Sequence, residues 1–270
     1  MSTHTLQLAD ADLEALAHAR GLLENPSLVA RLSSFVGSPL EQGMARLPTS
    51  WRAKVGGLAH EALLRAMSTA ARTLEPEPRP ASPRLHKLLG SVSGAGGGAF
   101  GLAGLTVEIP LSTVLIMRAI LDIARAEGEH IDRPATRLAA LEVFALGGTQ
   151  RSDDATESGY YAVRAALATT VSEAARHLAQ KGLSAEGAPA LVRLITMVAA
   201  RYKVQVTQKA AGMLVPGIGA AAGATINLMF MNHFQDVSRG HFTVRRLERH
   251  YGAEAVRTAW EALADSPRPH

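Results

Sequence analysis

Glu108, Ser112, Arg118 and Asp122 are the residues of this 270-residue chain whose types and spacing come nearest to chemistry. At 100° per residue, Glu108, Ser112, Leu115 and Asp122 fall near one helical stripe, and Arg118 can reach Asp122 at i,i+4. Two carboxylates, a hydroxyl and a guanidinium in an otherwise apolar helix need partners if they are buried. They allow two arrangements: an internal ion-pair network that sets helix register, or a polar pocket that grips a headgroup or other small ligand. Glu108 and Asp122 could also act as acid and base in a hydrolase for a lipid-like substrate, provided that they converge on one open cavity.

A second set comprises Asn227, His233, Asp236 and His241. His233 and Asp236 stand three apart, a spacing that permits a proton relay or a second acid/base pair. Tetrahedral metal sites take three or four ligands, and this set does not supply them, so no metal is expected. His60-Glu61 lacks a second histidine four positions after the first, and Glu127-x-x-His130 has no matching repeat. There is no Gly-x-Ser-x-Gly elbow and no phosphate-binding Gly-x4-Gly-Lys loop, and the glycines from Gly94 follow no convincing strand. No cofactor is implied, and no catalytic residue can be assigned.

These groups adjoin two long uncharged runs, Leu88–Val107 with seven glycines and Ala210–Asn232. Gly90, Gly94, Gly98 and Gly101 recur every three or four residues, as do Gly219 and Gly223, so each set lines one helical stripe. Glycine costs a helix about 1 kcal/mol relative to alanine, and close approach of another backbone is the usual compensation. The two glycine-striped helices are therefore expected to pair at the centre, with Asn227 as polar glue. Both runs are long enough to span a membrane. Their glycine, serine and asparagine content favours burial in a bundle over a re-entrant hairpin or a spanning helix.

An all-α multi-helix bundle follows from the composition, rich in alanine and leucine and only 4% aromatic. Helical periodicity over residues 1–74 is broken at Asn25-Pro26, Gly37-Ser38-Pro39 and Pro48. Residues 75–83 hold four prolines and form an extended linker to a helical core at 84–270, on which the N-terminal helices pack. Within the core, Pro110 is expected to kink or restart a helix that ends at Gly128. Further helices are predicted at Pro134–Leu146, Tyr160–Lys181 and Pro189–Leu214, and from the second run to Val237, with two short helices after Gly240 and Gly252.

The formal charge of +4 is spread among mixed signs, which argues against nucleic acid. Near the end, Arg239, Arg245, Arg246, Arg249 and His250 meet only Glu248 within twelve residues. Arg245, Arg246 and Arg249 could face anionic headgroups, or form a solvated helix face. Cysteine is absent, which excludes disulfides and thiolate chemistry. Asp10, Asp12, Glu14 and Glu24 interrupt the first thirty residues, so no secretory signal is read there. A cytoplasmic location is expected, with peripheral attachment at the inner membrane.

The chain resembles the EcsC family of bacterial proteins. The resemblance rests on residues 103–118, 122–129, 141–148 and 201–206, Lys209, residues 216–227, Phe230, His233-Phe234, His241-Phe242, residues 245–249 and Tyr251-Gly252. It implies association with transport, because the family takes its name from a protein encoded beside an ABC exporter. It brings no reaction and no catalytic residue. The expected function is non-enzymatic: a helical protein at the membrane face that binds lipid or supports secretion, with ABC transporter components as possible partners. The alternatives are the lipid-like hydrolase above and a soluble structural partner of a transporter.

Overall fold

The computed structural model describes residues 8–24, 39–70, 74, 80–99, 101–146, 159–181, 189–213 and 219–265. They form ten helices and, among the described residues, no strand: α1 (Asp10–Leu23), α2 (Pro39–Arg46), α3 (Thr49–Thr69), α4 (Pro83–Ala99), α5 (Gly101–Ala126), α6 (Pro134–Leu146), α7 (Gly159–Lys181), α8 (Pro189–Met213), α9 (Gly219–Tyr251) and α10 (Ala253–Asp265). The fold is an all-α bundle. Residues 75–79 of the proline-rich linker, the loop at 149–158 and the breaks at Gly182, Gly187 and Pro216 lie outside the described residues.

Local chemistry explains the helix boundaries. α2, α4, α6 and α8 each open on proline, whose missing amide hydrogen costs nothing at the first helical position. Just beyond α5 and α9, Gly128 and Gly252 have φ of 80° and 87°, the left-handed conformation that closes a helix C-terminus. Pro110 lies inside α5, which continues through it, and α9 runs unbroken for 33 residues, about 50 Å. The expected break at Gly240 does not occur. A Cβ there would lie 2.6 Å from Leu23 Cγ and 2.9 Å from the Ala19 carbonyl oxygen, so this glycine admits α1 against α9.

α6 is almost wholly buried and forms the heart of the bundle, where Phe144 meets Tyr202 of α8 and Phe234 of α9 at centroid distances of 5.0 and 5.1 Å. α3 packs on α5 and α8, α1 on α9, and α2 on α8. At Gly43 of α2, a Cβ would come within 2.1 Å of the Ala211 carbonyl oxygen, so this glycine too permits contact with a neighbouring backbone.

α4 and α5 form an antiparallel hairpin, since Ser82 and His86 meet Asp122 at the end away from the Ala99–Gly101 junction. α4 makes its broadest contact with α9. There the Pro83 carbonyl accepts from Gln235 Nε2 at 3.1 Å and the Gly90 carbonyl accepts from Asn227 Nδ2 at 2.9 Å. The helices are therefore antiparallel, and the same register sets Gly94 level with Gly223 and Gly98 level with Gly219. α5 and α8 are antiparallel too, linked at Glu108–Lys209 and Thr113–Tyr202. Both uncharged runs thus converge on one end of the bundle. Among the described residues, no helix is long and apolar enough to cross a membrane.

Candidate functional site

Four helices meet in a buried polar junction beneath the uncharged end. Lys209 Nζ of α8 donates to Glu108 Oε1 at 2.8 Å and to Ser112 Oγ at 2.9 Å, both on α5. Asn227 Nδ2 of α9 donates to the same Glu108 oxygen at 2.7 Å as well as to Gly90 of α4. The four side chains are at most 4% exposed. Burial pushes the Lys209 ammonium below its usual range, and the Glu108 carboxylate opposes this. Phe230 adds a ring face with its centroid 5.3 Å from the ammonium. Among the described residues, Glu108 Oε2 and Asn227 Oδ1 find no hydrogen-bond partner. The junction joins Glu108 and Ser112 of one expected set with Asn227 of the other, and its central cation, Lys209, was not among the predicted site residues. The available signal was a lone lysine opening the uncharged stretch at Ala210.

Asp122 belongs to a different network. Its Oδ1 accepts from Arg125 at 2.5 Å, and its Oδ2 accepts from the Ser82 amide at 2.6 Å and lies 3.2 Å from His86 Nε2. Burial works to raise this carboxyl, but the bonds from His86 and Ser82 and the charges of His86 and Arg125 outweigh it and hold the group below its usual range. Arg118, expected on Asp122, approaches His86 Nδ1 instead, at 3.4 Å. Glu108 and Asp122 stand 14 residues apart on one helix, about 21 Å, each sealed among its own partners. They do not form an acid/base pair on a shared cavity.

His233 is buried with its ring 5.4 Å from Phe234, and Asp236 accepts from Arg239 at 2.9 Å. No group of three histidine or carboxylate side chains able to hold a metal occurs among the described residues. His241 sits elsewhere, in a cluster of α6, α7 and α9. Its Nδ1 lies 3.0 Å from Tyr160 Oη, which also accepts from Arg164 at 3.2 Å, and Arg164 holds Glu248 in a two-pronged bond of 2.7 and 3.0 Å. Burial, with Arg164 and Arg245 nearby, keeps His241 well below its usual range and therefore neutral. Its 3.7 Å approach to Glu142 is thus no ion pair. Burial lifts Glu142 to about 7 despite the same two arginines.

The C-terminal arginines face carboxylates. Arg245 and Arg249 both meet Glu129 Oε1, the former at 2.9 Å, while Arg246 pairs with Glu127 at 3.0 Å and Asp12 at 3.5 Å. Burial works to raise the Glu129 carboxyl, but Arg245 and Arg249 hold it below its usual range. A cleft of about 360 Å³ lined by Asp12, Arg246, Leu247, Arg249 and His250 opens beside these pairs. The end of α9 farthest from the uncharged runs is therefore laced by intramolecular ion pairs.

The comparisons agree with the family expected from the sequence. No curated protein and no solved structure matches the chain. The model of the EcsC protein family matches residues 37–247, a span that takes in the four-helix junction, the Asp122 network and most of α9. The chain belongs to the EcsC protein family.

Proposed function

We propose that this protein works at the cytoplasmic face of a membrane, resting the outer face of the α4–α5 hairpin on lipid, and that it supports transport or secretion there without catalysing a reaction. One observation carries this reading. Leu85, Leu88, Leu89, Val107 and Leu111 are 47, 63, 40, 71 and 49% exposed, and all five lie on this hairpin. Leu88 lies eleven residues from the end of α4 and Leu111 ten from the start of α5, so they stand at the same height. Residues 88–107 between and beyond them carry no charge. Large apolar side chains left exposed at one level of a hairpin mark a contact with lipid or another apolar surface, and without a spanning helix among the described residues the contact is interfacial.

Flotation of the full chain with phospholipid vesicles tests the reading. The wild-type protein should rise with the vesicles, and Leu88→Asp/Val107→Asp should stay at the bottom with an unchanged melting temperature, since both positions are solvent-facing. Wild-type protein that remains unbound to every vesicle composition would sink the proposal.

A further inference from the structure

Building on the hairpin reading, we infer that the protein selects anionic phospholipid through unpaired cations on and around the α4–α5 hairpin, and not through the arginines of α9. Among the described residues, Arg46, Lys54, Arg84, Lys87 and Lys203 make no ion pair, and four of them are exposed while Lys87 is half-buried. Their positions follow from the packing. Arg84 and Lys87 lie on the hairpin itself, within one turn of Leu85 and Leu88. The Lys203 stem passes Gly56, where a Cβ would lie 3.5 Å from its Cδ, and Lys54 is two residues away on the same helix. Arg46 follows Gly43, which abuts Ala211 near the end of α8.

Among the described residues, the carboxylates near these cations are engaged: Asp122 accepts from Arg125 and the Ser82 amide, and Glu61 pairs with Arg65. Glu108 is buried and held by Lys209, and the acidic residues that neutralise Arg245, Arg246 and Arg249 lie at the far end of α9. A surface that places an apolar face beside unpaired lysine and arginine is complementary to a leaflet rich in negative headgroups. Each such cation near the surface strengthens binding about fivefold, so three together reach on the order of a hundredfold.

Binding of the full chain to vesicles of phosphatidylcholine alone and with phosphatidylglycerol tests this. The anionic vesicles should bind more tightly, with the advantage shrinking as salt rises. Lys54→Gln/Lys87→Gln/Lys203→Gln should lose on the order of a hundredfold of its binding to the anionic vesicles with an unchanged melting temperature, and Lys87→Gln alone should lose about fivefold. Equal binding of the wild type to both vesicles overturns the inference and leaves the hairpin reading standing. An anionic preference that the triple variant leaves undiminished and that vanishes in Arg246→Gln overturns it as well. Binding to neither vesicle removes the hairpin reading and this inference with it.

Discussion

Lys209 of α8 and Glu108 of α5 face each other across 2.8 Å with both side chains 2% exposed, which makes them a dry ion pair at the meeting point of four helices. Breaking such a pair from one side leaves a buried charge without its counterion, at a cost of about 3 to 5 kcal/mol. Lys209→Met should lower stability by that amount in urea unfolding. Glu108→Gln/Lys209→Met should recover most of the loss, because no buried charge remains and the glutamine oxygen still accepts from Asn227. A Lys209→Met cost near zero would show that the ammonium is solvated in solution.

Gly240 separates two explanations of a glycine within a long helix. If backbone freedom were its purpose, alanine would stabilise α9 by up to about 1 kcal/mol through helix propensity. The packing predicts the reverse. The added methyl would press on the Ala19 carbonyl and on Leu23, and Gly240→Ala should lose about 1 to 3 kcal/mol as α1 is displaced. Thermal melts of the pair decide the sign.

Glu142 gives stability a neutral-pH dependence. Its folded value of about 7 lies above the ordinary 4.5, so the folded state holds the proton more tightly than the unfolded chain. The contribution is fully present below pH 4.5 and declines as pH rises through about 7, by roughly 3 to 4 kcal/mol in all. Glu142→Gln cannot ionise and should be flat in this respect. Urea titrations at pH 5 and pH 8 should therefore show the variant gaining on the wild type at the higher pH, and parallel curves would contradict the assignment.

Much of the helical framework can be read from local signals. Pro134 and the glycines after Leu146 bracket α6 at the observed residues, and Lys181 closes α7 as predicted. The errors arise where tertiary contact overrides a local preference. Gly240 looks like a breaker until α1 is seen against it, and α5 runs through Pro110 without restarting there. At the site, Glu108 and Ser112 do meet one cation, and Asn227, expected as glue above Gly219 and Gly223, bonds Gly90 of α4 and Glu108 of α5. Helical spacing alone could not show that Arg125, rather than Arg118, holds Asp122, nor that His86 and Lys209 arrive from 36 and 101 residues away.

The seat of α1 has a consequence for how the chain assembles. This helix is synthesised well before its partners, which are Gly240, Tyr251, which bonds Asp12 at 2.8 Å, and the Trp260 carbonyl, which accepts from Arg20 at 3.3 Å. The separations reach 240 residues, so α1 waits for its seat until α9 and α10 have left the ribosome. Closure of α1 over α9 and α10 is therefore a late step of folding, and a chain interrupted before α9 would carry α1 with its apolar face bare.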